Sequence, residues 1–276
     1  MIIQKLPPFQ NVAASSTALL PNMPMGMTYY GIRFKLGGTS FTKAHVSSIK
    51  CRLGGKLFID VTGAELDDIN EYLKGEANAA YLTLYFAEPV AKTVIGEYIG
   101  AVDTSIFDRG TAFEMEIAIG AATAPTLEAW ALLAPPKRPD DPNKRTIRAL
   151  LRASHSIGAA GTFTQPIPVG SIGGAQIKRL FTFHGGNVTK LAVKKDGLFL
   201  LDEGEIALLS ELQDEFWREE QANLEVVDFI LSNNQSDVIT TIRPNGRAAL
   251  FEWQFTTSAA DTLKTITDLY TTIDRV

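Results

Sequence analysis

Leu57-Phe58-Ile59-Asp60-Val61-Thr62-Gly63-Ala64-Glu65-Leu66 and Leu198-Phe199-Leu200-Leu201-Asp202-Glu203-Gly204-Glu205-Ile206 are two renderings of one pattern. Each follows a turn, Gly54-Gly55 in the first and Asp196-Gly197 in the second. Each is a short apolar strand that reaches an acidic residue and then a helix. The helices are expected from about Gly63 to Leu73 and from about Gly204 to Trp217.

The correspondence extends outward. One strand ends at Gly37-Gly38 and its counterpart at Gly185-Gly186. Val46, Ile49 and Cys51 are answered by Leu191 and Val193, and the strand from Tyr81 to Phe86 by the strand from Leu224 to Phe229. Gly110 before Phe113, Met115 and Ile117 matches Gly246 before Phe251, Trp253 and Phe255. Pro24-Met25-Gly26 matches Pro168-Val169-Gly170, and Thr126-Leu127 matches Thr262-Leu263. The stretch Ile32–Pro89 is thus repeated by Leu180–Asn233. The offset, about 140 residues, is far longer than a solenoid unit of about 20–50. It is a duplicated domain of ordinary size.

The first helix carries its own start signal: Thr62 can cap, and Glu65 completes a capping box. Leu66, Ile69 and Leu73 share a face. In the second copy Asp202 and Glu205 stand in the same relation, and Ile206, Leu209, Leu212 and Phe216 make the packing stripe. Asp67-Asp68 and Glu219-Glu220 then fall on outward, solvated faces. Further strands are expected at Thr17–Leu20, Thr28–Leu36, Thr93–Val102, Ala112–Ile119 and Thr126–Leu133. Phe113, Met115 and Ile117 alternate with Glu114 and Glu116, which marks a sheet with one wet face. About eight strands per half with one helical insertion is the count of a jelly roll. The fold class is therefore all-β: two tandem eight-stranded jelly rolls, each with a short inserted helix. The domains are an N-terminal jelly roll over 1–136, a linker over 137–147 and a C-terminal jelly roll over 148–276. The linker, from Lys137 to Ile147, is dense in proline and charge, with Pro135-Pro136 just before it.

The chain of 276 residues can bury two cores. It has no apolar run of the ~18 residues a span needs. Its first twelve residues lack the apolar segment of a signal peptide. Cys51 is the single cysteine, which fits folding in a reducing cytoplasm and a buried, apolar role. A net charge of −5 argues against direct nucleic-acid binding.

The chemistry of catalysis is missing. His45, His155 and His184 are scattered, so no metal centre of the cupin kind is expected. Ser154-His155-Ser156 sits on a loop in this reading and lacks an orienting acid. Gly170–Gly174 is glycine-rich but lacks the lysine and helix of a phosphate loop. Asp140-Asp141 lacks the spaced acids of a calcium loop. Met23, Met25 and Met27 alternate without further soft ligands. No catalytic, cofactor or metal residue is assigned. Trp217 and Trp253 are read as core packing.

Leu6-Pro7-Pro8-Phe9-Gln10-Asn11-Val12, the early Gly-Gly hairpins, Thr62-Gly63-Ala64-Glu65-Leu66 to Asn70, and Leu82-Thr83-Leu84-Tyr85-Phe86-Ala87-Glu88-Pro89 carry a resemblance. Over its whole length the chain resembles the corticovirus-type double jelly-roll major capsid proteins of membrane-containing bacteriophages. The resemblance implies a structural protein made in the host cytoplasm and built into a virion capsid. Its homotrimers would be pseudo-hexagonal capsomers of an icosahedral shell over an internal membrane. Partners would be further copies and other virion proteins such as a vertex protein. Peripheral contact with lipid or with a neighbour is expected from the arm, through Ile2, Ile3, Lys5 and Leu6, and from the basic cluster Lys137, Arg138, Lys144 and Arg145. Two other readings stay open: a secreted two-jelly-roll protein that binds or processes glycans, with Trp130 as a stacking residue, and a minor vertex or spike protein.

Overall fold

The structure is a computed structural model that describes residues 1–73, 78–108, 110–170 and 174–276. Ser171, Ile172 and Gly173, the middle of the glycine-rich Gly170–Gly174 stretch, lie outside the described residues. The chain forms two compact units. One is Met1–Ala149 with Thr272–Asp274 and Val276, the other Leu150–Thr271 with Arg275.

The first unit contains β1 (Ile2–Lys5), β2 (Thr17–Leu20), β3 (Thr28–Gly37), β4 (Val46–Leu53), β5 (Lys56–Val61), α1 (Gly63–Tyr72), β6 (Tyr81–Tyr85), α2 (Val94–Tyr98), β7 (Val102–Asp103), β8 (Phe113–Ile119) and β9 (Thr126–Ala134). β10 (Thr146–Ile157) begins in the first unit and ends in the second. The second continues with β11 (Gly161–Pro166), β12 (Gln176–Phe183), β13 (Val188–Lys195), β14 (Leu198–Glu205), α3 (Ile206–Glu215), β15 (Leu224–Asp228), β16 (Ile239–Thr240), β17 (Phe251–Thr257) and β18 (Asp261–Thr272).

The duplication is present pair by pair, all antiparallel. In the first unit β3 pairs with β9, β6 and β7, β4 with β5 and β8, and β2 with β8. In the second, β12 pairs with β18, β15 and β16, β13 with β14 and β17, and β11 with β17. Even an irregularity is kept. The β3–β9 ladder slips between Tyr29 and Gly31, and the β12–β18 ladder slips between Ile177 and Arg179. Tyr30 and Lys178 are therefore equivalent bulge residues.

Alternation builds each core. On β8, Phe113, Met115, Ile117 and Ile119 are buried while Glu114 and Glu116 are half exposed. Each such apolar side chain contributes about 1.5–3 kcal/mol on leaving water. Tyr29 of β3 meets the Phe113 ring edge-on at 5.2 Å, so the two sheets of the first unit pack face to face. In the second unit Leu180, Leu191, Val193, Trp253, Phe255 and Leu263 form one cluster from both sheets. These are the two jelly rolls expected.

α1 starts as its sequence predicts. Glu65 N–H donates to Thr62 Oγ1 at 3.1 Å, and Thr62 N–H donates to Glu65 Oε2 at 2.8 Å. Gly63 is needed there: a Cβ would stand 2.3 Å from the Lys43 carbonyl oxygen. The second helix departs from expectation. β14 runs on through Glu205, so α3 starts at Ile206 with Glu205 as a cap that makes no side-chain bond. Asp202 is left on the strand, too far back to cap. Thr93–Val102 is mostly not a strand either. The Thr93 hydroxyl accepts the Gly96 N–H at 3.0 Å and opens the short α2, leaving Val102–Asp103 extended. Ser154-His155-Ser156 lies on β10, not on a loop.

Candidate assembly surfaces

The arm is not free-standing. β1 adds to the edge of β9, with Ile3 opposite Leu132 and Lys5 opposite Trp130. The Lys5 ammonium pairs with Glu128 and lies 5.5 Å from the centre of the half-buried Trp130 ring. The Leu6 N–H donates to Ala129 O at 2.9 Å and its side chain is buried, so Leu6 faces neither lipid nor a neighbour. Ile2 and Ile3 are exposed.

The basic cluster divides. Lys137 is buried, and its ammonium donates to the carbonyls of Ile99 at 2.9 Å and Asn143 at 3.0 Å. Its N–H donates to Asp103 Oδ2 at 3.1 Å. Burial pulls the Lys137 pKa down to about 8, against the opposing pull of Asp141 and Asp103. Its charge is spent inside the first unit, so the expected linker is anchored at its first residue. The turns at Arg138–Asp141 and Asp141–Lys144 that follow are closed by backbone hydrogen bonds. Arg138 is exposed and bonded to Asp140 at 3.2 Å. Lys144 is half-buried, and Arg145 is exposed beside a hollow lined by Ile106, Phe107 and Ile273.

The second unit exposes a different surface, one that sequence periodicity misassigns. Leu198, Phe199 and Leu200 of β14 are exposed. On α3, Leu209 is buried, but Leu208, Leu212 and Phe216 form an exposed apolar row one turn apart. Trp217, expected in the core, is 78% exposed. The helix ends at Glu215 and Trp217 takes φ of 61°, so the spacing that would have seated it inward stops two residues earlier. Large apolar side chains exposed in this number mark a candidate interaction surface. Trp253 is fully buried. Asp67 is not simply solvated: it pairs with the buried Lys43 at 2.5 Å.

The second unit also holds a buried charge cluster. The bulge at Lys178 lets consecutive side chains converge, where a regular strand would send them to opposite faces. Lys178 Nζ lies 2.9 Å from Asp268 Oδ1, and Arg179 Nη1 lies 3.5 Å from Asp268 Oδ2. Arg179 Nε reaches Asp228 Oδ2 at 3.0 Å, which also accepts from Arg218 Nε at 3.2 Å. All five groups are buried. In the first unit the equivalent positions are Tyr30, Gly31, Leu132 and Tyr85, so the same bulge is packed with rings. Tyr30 and Tyr85 meet edge-on at 6.2 Å, and the Tyr30 hydroxyl donates to Glu97 at 2.8 Å. The sequence signal for the charged version is slight: two adjacent bases in Gln176–Phe183 and a mid-strand Asp268 on β18.

The three histidines bond separately: His45 to Thr42, His155 to Thr265, and His184 to the Gly186 N–H. Among the described residues no three His, Cys, Asp or Glu side chains group to hold a metal ion.

Two family models match the chain in tandem. The viral coat protein P2 N-terminal domain matches residues 3–134, and the P2 C-terminal domain matches residues 147–273. The chain belongs to the viral coat protein P2 family. Membership places it in the virion capsid as a structural protein that acts by self-association. Among solved structures, the major capsid protein P2 of bacteriophage PM2 superposes with a TM-score of 0.83 at 18% identity, covering 97% of this chain and 96% of that one. The STIV MCP gives 0.69 at 11% identity, covering 98% and 96%. The PBCV-1 capsid gives 0.60 at 9% identity, covering 98% and 92%. At these identities the likeness is one of fold, the double jelly roll. No curated protein matched the chain.

Proposed function

We propose that this coat protein is the main capsid subunit of an icosahedral, membrane-containing bacteriophage and that it works as a homotrimer. The observation that carries this is the repeated ladder, six strand pairs in one unit matched by six in the other. Three such chains supply six lobes of one architecture, which is what a hexagonal position in a closed shell requires. The lobes have diverged at their surfaces, so each can meet different neighbours. Sedimentation of the purified protein at micromolar concentration tests the trimer, and a strictly monomeric species refutes it. Copy number per particle, from quantitative gels, separates a main coat subunit from a vertex or spike protein.

Contact with an anionic bilayer is peripheral in this reading and falls to Arg138, Lys144 and Arg145. Lys137 is left out because its charge is buried. Each basic group adds on the order of 1 kcal/mol near such a surface, fading within a Debye length. Liposome flotation of the wild-type protein against a variant neutral at these three positions tests it. Equal flotation of the two removes the basic cluster from the account.

A further inference from the structure

The two units share a ladder but not their exposure. β10 is the counterpart of β1: β1 lies beside β9, and β10 lies beside β18. β14 is the counterpart of β5, since each forms the hairpin with β13 or β4. Of each pair, the counterparts β10 and β5 are covered. Ile147, Ala149 and Leu150 of β10 are buried, as are Phe58 and Ile59 of β5. The other two are bare: Ile2 is 49% and Ile3 67% exposed on β1, and Leu198, Phe199 and Leu200 are 74%, 46% and 40% exposed on β14.

Both bare strands also end their sheets among the described residues, so each offers a row of backbone N–H and C=O groups to a further strand. Open edges with apolar side chains are templates for strand addition. The strands also differ in charge: β14 carries exposed Asp202, Glu203 and Glu205, the last two near Lys190 of β13, while β1 carries Lys5, which pairs with Glu128.

We propose that β1 of one copy pairs along the open edge of β14 of the next. This deepens the reading of the chain as a self-assembling coat subunit and rests on it. The contact joins two different surfaces, so it is head-to-tail, and repeating it closes a ring when the rotation fits three copies. The second copy supplies to each bare strand the cover that its counterpart already has. It also explains why an edge as apolar as Leu198-Phe199-Leu200 is kept: left open, it would invite aggregation.

Engineered disulfides test this cleanly, because the native Cys51 is buried. Chains bearing Ile3→Cys are co-expressed with differently tagged chains bearing Leu198→Cys, Leu200→Cys or Asp202→Cys, a panel that spans the possible registers. The expected result after mild oxidation is a two-chain band carrying both tags for at least one pair. The corresponding double variant then yields a covalent three-chain species. A link formed by the β14 cysteine alone, which would mean like edges pairing, overturns the proposal. So does a purely intrachain link in the double variant.

Two further variants read the energetics. Deletion of residues 2–5 and Leu200→Glu should each raise the concentration for half-assembly at least tenfold, with the far-ultraviolet spectrum unchanged for Leu200→Glu. If the wild-type protein is trimeric but no pair cross-links and Leu200→Glu assembles normally, this contact is wrong and the coat reading stands. If the wild-type protein is a monomer throughout, both fall.

Discussion

Replacing Asp68 by asparagine should stabilise the protein at neutral pH. Asp68 sits half-buried on α1, and its pKa is pushed up from 3.8 to about 6, first by burial and then by the charges of Asp67, Glu71 and Glu65. The folded protein therefore holds this proton more tightly than the unfolded chain does. Stability from the group is complete below 3.8 and is lost as pH rises to about 6. At ~1.36 kcal/mol per pH unit the gap caps the effect at about 3 kcal/mol. Half of the side chain is open to water, which screens the neighbouring charges and brings the figure down to about 1 kcal/mol. Asn and Asp have similar helix propensities, so the backbone contributes little to the difference. Urea unfolding at fixed protein concentration would be measured at pH 7.5 and pH 4. The variant should be more stable by about 1 kcal/mol at pH 7.5 and indistinguishable from wild type at pH 4. A variant less stable at pH 7.5, or an equal gap at both pH values, would refute the assignment of a strained carboxylate.

Three other outcomes follow from the packing. Asp268→Asn removes the carboxylate shared by the buried Lys178 and Arg179 and should cost about 3–5 kcal/mol, read as a fall in the urea midpoint. Trp253→Ala should cost about 3–5 kcal/mol in the same assay, whereas Trp253→Phe should cost much less. The buried indole N–H has no hydrogen-bond partner to lose among the described residues. Thr62→Ala should cost about 1 kcal/mol by thermal denaturation, while Glu205→Ala at the equivalent cap should change stability by a few tenths, since only the first cap makes its bond.

The duplication was legible because strand, turn and helix signals depend on local sequence. Gly54-Gly55 and Asp196-Gly197 force turns wherever the chain goes, and Phe113-Glu114-Met115-Glu116-Ile117 has the period of a strand with one wet face. The capping box at Thr62 is equally local. What failed were inferences from local pattern to surroundings. Ile206, Leu209, Leu212 and Phe216 have helical spacing, yet which part of that arc is covered depends on the elements beside the helix. Lys137 looked solvated because its neighbours are prolines and charges, but carbonyls at Ile99 and Asn143 fold around it. Asp202 and Glu205 repeat the spacing of a capping box while the strand simply runs past them. The charge cluster joins residues from four separate segments through a bulge, and no window of sequence contains it.

The differing chemistry at the equivalent bulges bears on how a duplicated chain avoids tangling. β3 and β12 are built alike, and each pairs with the closing strand of its own unit, β9 and β18. Pairing β3 with β18 would set Asp268 opposite Gly31, a carboxylate with no arginine facing it in a desolvated sheet. An unpaired buried charge costs several kcal/mol, while the correct partner turns the same carboxylate into a lock. Each half thus carries its own chemistry where β3 meets β9 and where β12 meets β18. The exchanged pairing is thereby penalised relative to the native one.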